Sequence, residues 1–228
     1  MTINTRKRLE SDLDELKRMI FLMGRMAGSA LENAVTALKD RNIEAARRVL
    51  ESDDLIDELE EKIDNCCMEF AARYQPLGED LRAVTSLMHI AVDLERIGDY
   101  GGNIAKVAIE IAHREPAKPL VDIPRMVDQV VKMLKTALTA LDTRSPELAL
   151  SVFPMDDRVD DLEKDIAREL FEILMENPER IEQSFQLMNV SRTLERAGDH
   201  ATNVAERVAY MYTGKTTRAS LHRRKREE

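Results

Sequence analysis

Two twelve-residue stretches decide the fold of this chain, because the second repeats the first. Residues 94–105 read LERIGDYGGNIA, and residues 194–205 read LERAGDHATNVA. They align without gaps and share seven of twelve residues, where chance would give about one. A second pair lies upstream, with DDLIDELE at 53–60 and DDRVDDLE at 156–163. The chain is therefore predicted to be an internal duplication.

The spacing of apolar residues around these stretches is helical throughout. Apolar side chains recur at intervals of three and four, which places them along one face of a helix. In each repeat the pattern predicts a long helix, a short helix capped by Asn42 or Ser145, a second helix and a final long helix. The fold class predicted is all-α, with two tandem antiparallel three-helix bundles. The boundaries predicted are 1–115 and 125–213 for the bundles, 116–124 for a proline-rich linker and 214–228 for a basic, disordered tail.

Composition and charge agree with a helical protein and exclude several functions. Only 4% of residues are aromatic and 34% are charged, which suits helices better than sheets. The net charge is −9, although the tail alone carries +4, so the rest of the chain is strongly acidic. This acidic body is predicted not to bind nucleic acid directly. Charge interrupts every apolar stretch before it could insert into a membrane, and the first residues lack the features of a secretory signal. These observations predict a cytoplasmic protein.

The repeated stretches carry carboxylates at a spacing of four residues, which stacks them on one helix face. The four pairs are Asp53 with Asp57, Glu95 with Asp99, Asp156 with Asp160, and Glu195 with Asp199. Oxygen ligands of this kind suit hard or borderline cations such as iron, manganese, magnesium or zinc. The alternative is that these acids are solvated, or that Arg96 and Arg196 pair with acids three residues away. Gly98 and Gly198 lie inside helices, which predicts close approach of a neighbouring helix or of an ion there.

The two LER-x-GD stretches, each preceded by a D-x-x-x-D helix, resemble the paired signature of the PhoU family over about residues 1–213. The resemblance implies surface metal clusters bound through E-or-D-x-x-x-D motifs, with iron or zinc as the leading candidates and manganese or magnesium as alternatives. Carried onto this chain, it implies one site at Asp53, Asp57, Glu95 and Asp99 and another at Asp156, Asp160, Glu195 and Asp199, with Glu60 and Glu163 as additional candidates. Lys106 stands where the second repeat has Glu206, so the first site is expected to be less acidic.

The same resemblance implies a negative regulator of the phosphate-starvation response. Such a protein links the ATPase of the phosphate ABC transporter to the sensor histidine kinase PhoR, and it is not an enzyme. Exposed amphipathic helices are also compatible with a homodimer. Two alternatives stay open, a carboxylate-bridged dimetal enzyme and a metal-free helical interaction module. The ferritin-like dimetal pattern needs two Glu-x-x-His motifs, and the chain has one, at residues 110–113.

Overall fold

The computed structural model describes residues 3–114 and 120–217, and every regular element in these ranges is helical, which confirms the predicted class. In chain order the helices are α1 (Ile3–Asp40), α2 (Ile43–Glu51), α3 (Asp54–Tyr74), α4 (Glu79–Ile111), α5 (Asp122–Thr143), α6 (Pro146–Leu150), α7 (Phe153–Glu176) and α8 (Ile181–Thr213). A single 3-10 turn, Pro178–Arg180, precedes α8. Across the same ranges, no helix combines the length and the apolar character that crossing a bilayer requires.

The predicted caps start and end the helices as their chemistry requires. The side chain of Asn42 accepts a hydrogen bond from the amide of Ala45 at 3.0 Å, which begins α2. Ser145 does the same for Leu148 at 3.2 Å, and Pro146 occupies the first turn of α6. Gly214 ends α8 in the left-handed conformation, with φ of +68°.

The linker prediction was wrong at its C-terminal end, where Pro124 lies inside α5. Helix α5 begins at Asp122, so Pro124 occupies its first turn. An amide in the first turn has no helical acceptor, and a proline there loses no hydrogen bond. Residues 115–119 of the predicted linker and residues 218–228 of the predicted tail lie outside the described residues. Residues 214–217 are described and are not helical.

The two repeats pack into a single structure with a continuous core. Helices α1, α3 and α4 form the first bundle, and α5, α7 and α8 form the second. Helix α4 also packs along α8, and α1 packs along α5, so the buried side chains of both bundles belong to one cluster. The described residues of the two predicted bundles therefore share one core. The packing of α4 on α8 brings the two signature stretches to the centre of the molecule.

Two glycines of α4 explain how closely its neighbours approach. A Cβ at Gly98 would lie 2.8 Å from Cδ1 of Ile56 on α3, which accounts for a glycine inside this helix. A Cβ at Gly101 would lie 2.8 Å from Cβ of Ala30 and 2.9 Å from its carbonyl carbon on α1. Both distances are too short for a real Cβ, so Gly101 lets the backbones of α4 and α1 come into contact, and Gly98 makes room for the side chain of Ile56 between α4 and α3.

Candidate metal centre

The first acidic cluster lies where α3 crosses α4. One carboxylate oxygen each from Asp57, Glu95 and Asp99 lies within 4.8 Å of the other two. In the part of the chain that the structure describes, no other three Asp, Glu, His or Cys side chains approach this closely. Asp57 is exposed, and Glu95 and Asp99 are half-buried. The cluster is therefore open to solvent on the α3 side and closed by the helix on the α4 side.

Asp53 lies at the edge of this cluster, at the position before α3. Its carboxylate rests on Gly102 of α4, where a Cβ would come within 2.9 Å of Oδ2 of Asp53. Burial raises the pKa of Asp53, and the negative charges of Asp99 and Asp57 raise it further. The positive charge of Lys106 acts in the opposite direction on that pKa. All four predicted residues of the first site thus share one electrostatic environment, and Lys106 adds a positive charge to it.

Burial and, after it, repulsion between neighbouring carboxylates raise the pKa values of the acids in the first cluster. Partial burial, followed by the charge of Asp99, raises the pKa of Glu95 from its ordinary value of 4.5 to about 7. Burial and Asp99 also raise the pKa of Asp57. The pKa of Glu60, one turn further along α3, is raised by burial and by the charges of Asp64 and Asp57. Carboxylates crowded in this way are unfavourable unless they hold protons or a cation.

Arg96 supplies part of the compensating charge. Its Nη1 atom donates a hydrogen bond to Oδ2 of Asp99 at 3.1 Å, and its Nε atom lies 3.4 Å from Oε2 of Glu95. The structural ion pair that the sequence offered as an alternative is therefore present in this repeat. About half of the Arg96 side chain is exposed to solvent, so it is able to swing away from the cluster at small energetic cost.

The second cluster, where α7 crosses α8, has the same members in a looser arrangement. Burial raises the pKa of Glu195 to about 6, and the charges of Asp199, Asp160, Glu163 and Asp156 add to this effect in that order. All the predicted acids of the second repeat therefore lie around Glu195. Within residues 120–217, however, no three of them meet within 4.8 Å.

Asp156 marks a second difference between the two clusters. It is only 2% exposed, whereas its counterpart Asp53 is half-buried. A Cβ at Gly198 would lie 3.5 Å from Oδ1 of Asp156, an ordinary contact distance. The glycine that receives Asp53, Gly102, is replaced in the second repeat by Thr202, whose buried hydroxyl has no hydrogen-bond partner.

A polar network that the sequence did not predict joins the two signature stretches. Nδ1 of His200 lies 2.8 Å from Oδ1 of Asp93, and Nε2 of His200 lies 3.4 Å from the hydroxyl of Tyr100. Asn203 also donates a hydrogen bond to Asp93 at 3.3 Å. The guanidinium of Arg196 lies over the Tyr100 ring, 5.2 Å from its centroid. The only sequence signal was that Asp93 precedes Tyr100 by seven residues, on the same face of α4.

The residues of the alternative dimetal motif are engaged elsewhere. Glu110 accepts a hydrogen bond from the side-chain amide of Gln186 on α8 at 2.9 Å. His113 lies beyond the end of α4 at Ile111. A glutamate held by a neutral amide and a histidine outside the helix do not form a Glu-x-x-His metal motif.

The fold and the site together define a duplicated helix-bundle protein that presents one acidic cluster in each repeat. The PhoU domain model matches residues 8–108 and 123–208. The chain belongs to the PhoU family.

Known members of the family resemble the chain over nearly its whole length. A phosphate-specific transport system accessory protein PhoU homolog from Pseudomonas aeruginosa is 35% identical, covering 100% of this chain and 95% of that protein. The protein of the same description from Clostridium acetobutylicum is 38% identical over 92% of this chain and 97% of its own length. The crystal structure of PhoU from P. aeruginosa superimposes with a TM-score of 0.86 at 36% identity, covering 90% of this chain and 99% of that one.

Proposed function

We propose that this chain is an accessory and regulatory protein of a phosphate transport system, and that it acts as a negative regulator of the phosphate-starvation response. The observation that carries this proposal is the pair of acid-bearing signature helices, α4 and α8, in a family whose curated members are described as phosphate-specific transport system accessory proteins. The chain acts by binding rather than by catalysis. It is a cytoplasmic adaptor between the ATPase of the phosphate ABC transporter and the sensor histidine kinase PhoR, and it does not contact DNA.

Metal binding by the two acidic clusters is part of this proposal. The fit rests on three features of the first cluster: converging carboxylate oxygens, the raised pKa of Glu95, and the cradle at Gly102 that a larger residue would fill. Hard or borderline cations prefer such oxygen ligands. The proposed ions are iron or zinc, with manganese or magnesium as alternatives. The proposed ligands are Asp53, Asp57, Glu95 and Asp99 in the first cluster and Asp156, Asp160, Glu195 and Asp199 in the second, with Glu60 and Glu163 at the edges.

A bound cation would neutralise the repulsion in each cluster and join two helices. In the first repeat the ligands come from α3 and α4, and in the second from α7 and α8. Metal binding would therefore hold α3 against α4 in the first bundle and α7 against α8 in the second. We infer that partner proteins bind the surface that α3 and α7 form when they are held in this way.

Exposed apolar side chains at corresponding positions of the two repeats support protein binding. Met68 on α3 is 59% exposed, and its counterpart on α7, Phe171, is 57% exposed. Leu81 on α4 and its counterpart on α8, Ile181, are 41% and 59% exposed. Apolar groups in this setting are typical of protein contact surfaces, including that of a homodimer.

The test is complementation in a bacterial host whose own PhoU-family gene has been deleted. A reporter driven by a phosphate-starvation promoter is measured in excess phosphate. Expression of the chain is expected to restore repression, and the double variant Asp57→Asn, Asp99→Asn is expected to lose it. The matched control is Arg18→Gln, which removes an exposed ion pair with Glu15 on α1. Failure of the unaltered chain to repress, with normal protein levels, would contradict the regulatory proposal.

A second experiment separates protein contact from DNA contact. Purified chain is passed over immobilised ATPase or kinase from the same host and, separately, over promoter DNA. Binding to one of the two proteins is expected, and binding to the promoter is not, because the acidic body repels DNA. Sequence-specific binding to the promoter instead would show that repression is direct.

A further inference from the structure

An apolar cavity of about 450 Å³ lies at the seam between the two repeats, away from both acidic clusters. It is bounded by the C-terminal ends of α1 and α4 and the N-terminal ends of α5 and α8. Its apolar wall is formed by Leu38, Ile111, Leu120, Val121, Pro124 and Leu187. This volume falls within the range of about 300 to 1,000 Å³ in which proteins bind small molecules.

One polar side chain inside this cavity has no partner. Gln183 of α8 lines the cavity and is only 6% exposed. Its side-chain amide makes no hydrogen bond to the part of the chain that the structure describes. Buried amides are almost always hydrogen-bonded, because leaving their donors and acceptors unmet is unfavourable. The Gln183 amide is therefore available to a molecule that enters the cavity.

Cationic residues also belong to the lining of the cavity. Lys39, Arg41 and Arg114 belong to its lining, and no acidic residue does so among the described residues. Nη1 of Arg41 donates a hydrogen bond to the carbonyl oxygen of Arg114 at 3.1 Å, and Arg114 pairs at 2.5 Å with Glu182, the residue before Gln183. On a chain with a net charge of −9, this concentration of positive charge beside an apolar wall selects for a molecule with an anionic end.

We propose that the cavity binds an amphipathic monocarboxylate. The hydrocarbon tail would lie against Leu38, Leu120 and Leu187. The carboxylate would accept hydrogen bonds from Arg41 and from the amide of Gln183, and the charge of Lys39 would add to the attraction. Apolar walls with a few convergent polar groups are the usual composition of a small-molecule site. This site depends neither on the metal clusters nor on the proposed role in phosphate regulation.

The test is calorimetric titration of the full chain with decanoate below its micelle concentration. Decanoate is expected to bind with one molecule per chain. Acetate, which has the carboxylate alone, is expected not to bind, and decanol, which has the tail alone, is expected to bind about tenfold more weakly. Arg41→Gln is expected to weaken decanoate binding about tenfold, and Lys39→Gln, at an exposed position, by a few-fold.

Gln183→Met separates a ligand-binding amide from a structural one. Because the amide has no partner in the protein, an apolar side chain of similar shape is expected to raise the melting temperature of the unbound chain by about 2 °C. The same variant is expected to weaken decanoate binding about tenfold. Arg18→Gln, on the exposed surface of α1, is the control and should change neither value.

Three results would overturn the proposal. The first is that the unaltered chain does not bind decanoate. The second is that Arg41→Gln and Gln183→Met bind decanoate as tightly as the unaltered chain, which would indicate adsorption elsewhere. The third is that inorganic phosphate binds as tightly as decanoate at these residues, which would show that the apolar wall contributes nothing.

Discussion

Replacing Glu95 with glutamine tests whether burial and the neighbouring carboxylates make a charge at this position unfavourable. The substitution keeps the shape of the side chain and removes its charge. Because the folded state raises the pKa of Glu95 from 4.5 to about 7, the folded chain binds this proton more tightly than the unfolded chain does. The stability that comes from that proton is fully present below the unfolded pKa and is lost as the pH rises through the folded pKa. Without metal, Glu95→Gln is therefore expected to match the unaltered chain at low pH and to exceed its stability at high pH.

The size of the effect follows from the pKa of Glu95 and its exposure. A change of one in pKa corresponds to about 1.4 kcal/mol, so a rise from 4.5 to about 7 sets an upper limit of about 3 kcal/mol on the effect. The side chain is 22% exposed, and solvent screening reduces the repulsion. We expect a gain of about 1 to 2 kcal/mol in the free energy of unfolding for Glu95→Gln at about pH 8.

The assay is urea denaturation of metal-free protein in chelator, at about pH 4.5 and about pH 8. The gain at high pH should vanish at low pH. Adding zinc should reverse the order of stability at high pH, because the variant has lost a ligand. Glu15→Gln, an exposed acid paired with Arg18, is the matched control and should change stability by less than about 0.5 kcal/mol at either pH. If metal-free Glu95→Gln is no more stable than the unaltered chain at high pH, burial and repulsion do not disfavour the charge of Glu95 as described.

Three further substitutions address the same site and its support. Gly102→Ala places a Cβ 2.9 Å from Oδ2 of Asp53, so a titration should show zinc affinity at the first cluster falling about tenfold while the melting temperature changes little; an unchanged affinity would exclude Asp53 as a ligand. Gly101→Ala, at the neighbouring position, drives a Cβ into the backbone of Ala30 and should lower the free energy of unfolding by about 1 to 3 kcal/mol, measured by urea denaturation; full stability would show that α1 and α4 are further apart than described. Lys106→Glu supplies the acid that the second repeat has at Glu206 and should tighten zinc binding at the first cluster about three- to tenfold in a chelator competition assay; unchanged binding would place Lys106 outside the influence of the site.

The fold was predictable because its signals are local or repeated. Spacings of three and four define the helices, and the caps at Asn42 and Ser145 define two of their starts. The error at Pro124 arose because proline breaks a helix interior but is accepted in a first turn, and the sequence did not show where α5 begins. The packing of the two repeats into one core depends on contacts between α4 and α8, which no local pattern encodes.

The candidate site was predictable in its members but not in its asymmetry. Both acidic clusters follow from the duplicated motifs. The tighter first cluster depends on the crossing of α3 over α4, which brings Asp57 to Glu95 and Asp99. The pairing of Asp93 with His200 joins residues 107 positions apart, and the cavity around Gln183 is formed by four helix ends. Features of this kind require the packing of distant segments and have no signature in a single sequence.

Metal stoichiometry of the full chain tests the central claim most directly. The chain is purified without an affinity tag, stripped with chelator, titrated with zinc or ferric iron, and examined by elemental analysis after gel filtration. The proposal predicts ions bound in both repeats. The double variant Asp57→Asn, Asp99→Asn should lose only the ions bound in the first repeat. The double variant Asp160→Asn, Asp199→Asn should lose only those bound in the second. A chain that stays free of metal, with the same melting temperature in chelator and in excess zinc, would contradict the account and leave a metal-free helical module in its place.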